Sequence, residues 1–273
     1  MPTILITGAS DGIGRQTAKD LAATGADLIV HGRSASKLAE LVAELEHVPG
    51  HGRVSSIRAD LGDLDQVRAI ASELAERVDA LDVLLHNAGV FMTEYQTSAQ
   101  GHEATWAINV LAPTLATHLL LGLLRASPEG GRVINVSSVA HNRGASNWDA
   151  VDSAEGFSGY AAYARSKLAL TMLTSEMARR VGERPLLVSL HPGVVTTKLL
   201  TEGFNMQGPD SLRAGAATSV MLASAPITEL RPHQGGYFAR SRPATPSAKA
   251  RDAEACAKLY ELVRATIGVE PIA

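Results

Sequence analysis

Tyr163 and Lys167 stand four residues apart in Tyr163-Ala164-Arg165-Ser166-Lys167, a spacing that puts a phenol and an ammonium on one face of a helix. The chemistry open to such a pair is proton transfer. A phenol with a reference pKa near ~10 is a weak base at neutral pH, and an adjacent cation favours its phenolate and draws the pKa toward the working range. Alone, the pair is more often an unrelated surface and core couple, so its weight depends on the motifs around it. Tyr160 is the competing phenol. It lies seven residues from Lys167, and packing or substrate contact suits it better.

A second chemical signal lies at the start of the chain. Thr7-Gly8-Ala9-Ser10-Asp11-Gly12-Ile13-Gly14 follows an apolar strand and opens a helix. Small residues there let the backbone approach a pyrophosphate, and the helix N–H groups face its charge. A Gly-rich turn by itself is weak evidence, but the strand-turn-helix context points to dinucleotide binding. At the end of the second strand His31-Gly32-Arg33 has Gly where an NAD-preferring site often offers a carboxylate to the adenosine ribose. The Arg33 guanidinium can pair with a 2′-phosphate, so NADP(H) is the preferred cofactor and NAD(H) the lesser alternative. Asp60, after the third strand, can accept from an adenine amino group or place the Leu61 backbone. The plainer reading is a carboxylate at a helix start.

These residues need a scaffold that repeats strand and helix. Short apolar runs at 4–7, 28–31, 54–59, 81–85, 132–136 and 186–190 alternate with segments of helical period at 12–23, 36–45, 63–78 and 160–180, with Asp63 placed as an N-cap. The pattern predicts an α/β, single-domain, doubly wound parallel sheet, Rossmann-like, with helices on both faces. Pro113 should bend or restart the helix after Asn109. No repeat or polar linker divides residues 1–273, which are expected to form one dinucleotide-binding catalytic domain. The polar segment 141–158 and the Gly/Pro-containing segment 201–210 are the candidates for substrate loops.

Composition narrows the class. With 45% hydrophobic residues and a net charge of −3, the chain can bury a large core and presents no broad basic face for nucleic acid. Cys256 is the only cysteine, which excludes an internal disulfide and any Cys-rich zinc motif and fits a reducing cytoplasm. The apolar run at residues 2–7 is too short for a signal peptide, and the other apolar stretches break before the roughly 20 residues a bilayer requires. A soluble, cytoplasmic protein with no membrane partner is expected. Nine histidines invite a metal reading, but in His47-Val48-Pro49-Gly50-His51 the intervening Pro and Gly prevent a shared helical face, and no metal site is assigned.

Taken together, Thr7-Gly8-x3-Gly12-x-Gly14, Asn87-Ala88-Gly89, Asn109, Ser138 and Tyr163-x3-Lys167 closely resemble the short-chain dehydrogenase/reductase family over almost the whole chain. The resemblance implies a hydride-transferring enzyme that interconverts a secondary alcohol or related carbinol with its carbonyl. It gives Ser138 a hydrogen bond to the substrate oxygen, with Ser137 as the alternative, and Asn109 a water relay. Tyr163 becomes the proton donor, and Lys167 the group that binds the nicotinamide ribose and lowers the Tyr pKa. Asn87, Ala88 and Gly89 would support the sheet and cofactor, with His86 departing from the frequent Asn at its position. Pro192-Gly193-Val194-Val195-Thr196-Thr197 would contact nicotinamide, through Thr197 and the Val195 backbone, with Pro192 in the turn. The 25 residues from Ser138 to Tyr163 and the pattern Ser247-Ala248-x-Ala250-x-Asp252 resemble the retinol dehydrogenase-like branch. The helices beginning near Gly101 and Tyr160 resemble those of four-helix interfaces in the family, which implies a homodimer or homotetramer. Small-molecule alcohols or carbonyls are the implied partners. A non-catalytic NADP sensor or scaffold of the same fold is the competing reading, disfavoured because all four positions that the resemblance makes reactive, Asn109, Ser138, Tyr163 and Lys167, are retained.

Overall fold

The computed structural model describes residues 1–272, with Ala273 of the expected 1–273 domain outside the described residues. Strand and helix alternate through β1 (Thr3–Ile6), α1 (Gly12–Ala22), β2 (Asp27–Gly32), α2 (Ala35–Glu46), β3 (Val54–Arg58), α3 (Leu64–Arg77) and β4 (Val83–His86). A composite helix follows, made of α4 (Ala104–Trp106), a π-helical stretch Ala107–Leu111, and α5 (Ala112–Leu119). Then come α6 (Leu121–Ala126), β5 (Arg132–Val136), α7 (Gly159–Val181), β6 (Leu186–His191), α8 (Leu212–Ser224), α9 (Ile227–Leu230), β7 (Tyr237–Ala239), β8 (Arg242–Ala244) and α10 (Ala253–Ile267).

The strands form one sheet in the order β3-β2-β1-β4-β5-β6-β7-β8, parallel except for the last pair. Side chains alternate across it. Leu5, Leu84, Val133 and Leu187 enter a core with α3, α5, α7 and α10, while Ile4, Ile6, Leu85, Ile134 and Val188 enter a second core with α1, α2 and α8. Covering both faces explains why the strands read as nearly unbroken apolar runs. The strand order reverses between β1 and β4, so the loops leaving their C-terminal ends diverge and open a crevice.

Helix ends follow local chemistry. Asp63 caps α3 by accepting from the Asp65 amide at 3.0 Å, and Ser34 caps α2 through Lys37. Pro113 acts differently from a simple break. It occupies the first turn of α5, where its missing N–H is least costly, and the π-helical stretch before it absorbs the mismatch. Asn109 sits inside that stretch.

Between Ser166 and Ala178 of α7 only Ser175 is not buried. The reason is α10, whose Cys256, Leu259, Tyr260, Val263 and Ile267 recur at helical spacing and are buried. Tyr260 bonds through its hydroxyl to His118 of α5 at 3.0 Å and to the Ile272 amide at 2.9 Å, and its ring receives the Arg180 guanidinium of α7 at 4.0 Å. The chain's own α10 therefore lies across the α5–α7 surface on which the expectation of a four-helix interface rested. Among the described residues no helix is long and apolar enough to cross a membrane.

Candidate active site

At the mouth of the crevice, the glycines are set by close approach. A Cβ on Gly8, which has φ +63°, would stand 2.7 Å from the Ala88 Cα, and one on Gly14 would stand 2.3 Å from both the Asn87 amide nitrogen and the Gly8 carbonyl. Only hydrogen fits at either place. The space they leave is filled by a clamp. Asn87 Nδ2 donates to the Thr7 and Gly8 carbonyls at 3.0 Å each, and the Ala88 amide donates to Thr7 Oγ1 at 3.1 Å. Asn87 and Ala88 thus fix the Gly-rich loop.

Asp11 caps α1 through the Gly12 amide at 2.9 Å, whereas the Ile13 and Gly14 amides meet no acceptor among the described residues. Those two N–H groups and the bare glycine backbone form a cradle suited to a pyrophosphate. Ser10, Arg33, Asp60 and Leu61 line the same cleft. Arg33 is exposed and has no ion-pair or hydrogen-bond partner among the described residues, while the nearby Lys37 and Lys198 are both drawn to Asp11, at 3.0 and 3.5 Å. A free guanidinium at the cleft edge fits a 2′-phosphate. His31 does not add a second cation there. Its Nδ1 accepts from the Gly8 amide at 3.3 Å and its Nε2 meets the Ala59 carbonyl at 3.1 Å, and burial holds its pKa at about 4. Asp60 accepts from the Gly62 amide at 2.8 Å.

The cleft has a volume of about 830 Å³ and continues from the cradle to Ser138, Tyr163 and Lys167. The two serines after β5 part company. Ser137 is committed to α7, bonding to the Lys167 carbonyl at 3.0 Å and Thr171 Oγ1 at 2.8 Å, while Ser138 lines the cleft together with Tyr163. Tyr160, 43% exposed, stands at the cleft wall against Phe204, whereas Tyr163 is buried at 6%, which leaves Tyr160 as a lining residue.

Burial decides the electrostatics of the pair. It pushes the Tyr163 phenol up to about 12 against the opposing hydrogen bond from Ser138. It also brings Lys167 down to about 8. Lys167 Nζ donates to the Val136 carbonyl at 2.9 Å and stands 5.6 Å from the Tyr163 ring centroid. Burial is the dominant influence on the phenol here and outweighs the lowering expected from the ammonium. At neutral pH Tyr163 is a neutral phenol, the form that donates a proton.

Asn109 has its whole amide engaged, accepting from the Val90 N–H and donating to the Val90 carbonyl and Ser166 Oγ. Its side chain pins the segment after Gly89 to the helix. His86, the departure from the family pattern, is buried and held neutral near a pKa of about 3. It bonds to Thr117 Oγ1 at 3.1 Å and so ties β4 to α5.

Pro192, Val195 and Thr197 also line the cleft. Gly193, at φ +99°, makes the turn, and Asp210 accepts from the Val194 amide at 2.7 Å to hold it. A Cβ on Gly12 would meet the Thr197 methyl at 3.4 Å, so this segment overhangs the Gly-rich turn. From residues 201–210, Phe204 and Met206 reach the cleft, and Phe204 packs against Tyr163 at 5.3 Å and Phe91 at 4.4 Å. From residues 141–158 only Asn142 and Arg143 do. The rest of that segment is anchored elsewhere, with Asp152 accepting from the Glu103 amide and Trp148 against Trp106. Sequence reading missed Val139, His191, Leu199 and Leu200 of the lining. His191 alone carried a signal, its place directly before the Pro192 turn.

With this geometry in place, comparison with known proteins decides the family: the model of the short chain dehydrogenases matches residues 2–208. The chain belongs to the short-chain dehydrogenase family. Human retinol dehydrogenase 14 is 33% identical over 98% of this chain and 86% of its own length. The candidate daunorubicin C-13 ketoreductase DnrU of Streptomyces sp. (strain C5) is 36% identical over 97% and 92%. Among solved structures, the Pseudomonas aeruginosa RhlG/NADP active-site complex superposes with a TM-score of 0.70 at 28% identity, covering 87% of this chain and 94% of that one. The relatives place the chain in the retinol dehydrogenase-like branch, and it is an NAD(P)-dependent oxidoreductase of alcohols and carbonyls.

Proposed function

We propose that the chain is an NADP(H)-dependent oxidoreductase that interconverts a secondary alcohol or related carbinol with its carbonyl, with Tyr163 as the acid/base. The observation that carries this reading is the convergence of Ser138, Tyr163 and Lys167 on one cleft that also holds the Gly-rich cradle. Bound NADPH would supply the hydride. Ser138 holds the substrate oxygen against the Tyr163 hydroxyl, and Tyr163 gives that oxygen its proton. Lys167 is placed to bind the nicotinamide ribose, and once a ribose replaces water beside it, to bias the phenol toward release of the proton. Arg33 holds the 2′-phosphate, and Thr197 with the Val195 backbone meets the carboxamide.

The wall of Tyr160, Phe204 and Met206, with Phe91 packed against Phe204, favours a substrate with an extended apolar body next to its carbonyl. The names of the relatives, retinol dehydrogenases and a daunorubicin ketoreductase, support the same class. Since α10 covers α5 and α7, the protein is expected to act as a monomer, in a reducing compartment that keeps Cys256 as a thiol. A panel of apolar ketones and aldehydes run with NADPH and NADH tests the reading. Faster NADPH consumption supports it, whereas tight NADPH binding without turnover across the panel would favour the sensor.

A further inference from the structure

The C-terminal pattern Ser247-Ala248-x-Ala250-x-Asp252 bears no chemistry of its own, yet one of its amides ends on a histidine that touches the catalytic loop. His141 is 1% exposed. Its Nδ1 lies 2.7 Å from the Ser138 carbonyl, and its Nε2 lies 3.0 Å from the amide of Ser247, 106 residues away in sequence. A carbonyl only accepts and an amide only donates, so the ring is neutral with its single proton on Nδ1.

We propose that His141 is a positioning residue for the reaction, transmitting the place of the Ser247 amide to the backbone of Ser138 and so setting where the Ser138 hydroxyl meets the phenol and the substrate oxygen. The inference rests on the role given to Ser138 above.

The surroundings fit such a role. Ser138 opens a 3-10 turn, Val139–Arg143, and its hydroxyl accepts from the Ala140 amide at 3.2 Å, so the orientation of that hydroxyl follows the turn. The turn is held from three sides. The Val139 amide donates to His191 Nδ1 of β6 at 3.2 Å, the ring of Tyr237 in β7 packs 4.9 Å from that of His141, and Lys249 donates to the Gly144 carbonyl at 2.9 Å. Two of the ties, those of Ser247 and Lys249, come from the same C-terminal stretch. Of these side-chain ties only that of the His141 ring reaches the Ser138 carbonyl, which also accepts from the His141 amide at 3.1 Å. A side chain that must be placed within a fraction of an ångström gains most from this kind of support.

The test is a double-mutant cycle on the full chain, with a carbonyl that the wild-type protein turns over and with NADPH affinity measured separately by fluorescence. His141→Ala should lower kcat by roughly 10- to 100-fold while the NADPH Kd stays within about twofold. In a Ser138→Ala background it should lower kcat no further, because its effect passes through the Ser138 hydroxyl. Ser247→Pro, which deletes the amide donor and leaves His141 in place, should reproduce the loss and the same epistasis, and Ser247→Ala, which keeps the amide, should cost less. If His141→Ala does not fold, the Ser247→Pro cycle carries the test. Equal losses with and without Ser138, or a loss traced to weaker NADPH binding, overturn the inference while leaving the proposed function standing. A harmless Ser138→Ala overturns the role of Ser138 and this inference with it.

Discussion

Replacing Arg33 by Ala isolates the cofactor choice, because the other cations near the cradle are already committed. Lys37 and Lys198 both face Asp11, and Arg33, directly after Gly32 at the end of β2, is the cradle-side cation expected to meet a 2′-phosphate. A hydrogen bond to a charged group contributes roughly 1.5–3 kcal/mol. Arg33 is exposed, and solvent and salt screen an exposed pair, so the low end applies, about 1.5 kcal/mol or roughly tenfold in affinity. NAD(H) has no 2′-phosphate and should bind within about twofold of wild type. Paired titrations of NADPH and NADH at low and high salt measure this, and the NADPH effect should shrink as salt rises. Lys37→Ala, the control, should change the preference less. Equal weakening of both cofactors would refute the assignment. The reverse change, Gly32→Asp, is hindered because a Cβ there would meet Ser10 Oγ at 2.9 Å and Leu38 at 3.3 Å. A switch toward NADH should therefore emerge cleanly only when Ser10→Gly accompanies it.

Tyr163→Phe should keep NADPH affinity and lower kcat by about 10²–10⁴-fold, whereas Tyr160→Phe should change it little; a larger loss at Tyr160 would move the proton donor there. Because burial lifts Tyr163 to about 12, carbonyl reduction, which needs the protonated phenol, should hold through neutral pH and fall only in strong alkali. Alcohol oxidation, which needs the phenolate, should rise with pH, and an oxidation optimum at neutral pH would contradict the sign. Lys167, held near about 8 against an ordinary 10.5, makes the folded chain bear a charging cost that is full below pH 8 and eases as pH rises toward 10.5. Lys167→Met should thus melt no lower than wild type at pH 7 without cofactor, while binding NADPH more weakly. Light scattering at micromolar concentration should give the mass of one chain, and a dimer would mean that a face other than α5–α7 serves.

The strand-helix alternation and the Gly-rich turn were legible because each rests on local periodicity and on close approach. The choice between Ser137 and Ser138 was not, since it depends on how β5 aims its end relative to Lys167 and Thr171 of α7. Strands β7 and β8 are three residues each, and Pro243 in β8 is tolerated only because that strand is the sheet edge. Helix α8 is made largely of Ala, Ser, Gly and Thr, so its period is faint. For α10 the signal was present in the spacing of Cys256, Leu259, Tyr260, Val263 and Ile267 behind the Asp252 cap. What the sequence did not disclose is the destination of that apolar stripe, the α5–α7 surface that the family resemblance had reserved for a partner.

Packing and chemistry use different residues of α7: Leu168, Met172 and Met177 join the core that α10 closes, while Tyr163 and Lys167 line the cleft. Here β5 and β6 lie on one side of α7, the Asn109 stretch and the turn after Ser138 flank it, and α10 closes its outer surface. Desolvation is the leading cause at both Tyr163 and Lys167, and it acts on the two in opposite directions, raising the phenol and lowering the ammonium. A weakened ammonium beside a strengthened phenol keeps the proton on Tyr163 until a ligand changes the balance. Burial at the cleft end of α7 thus leaves Tyr163 a neutral phenol at rest, the form a proton donor to a carbonyl oxygen requires.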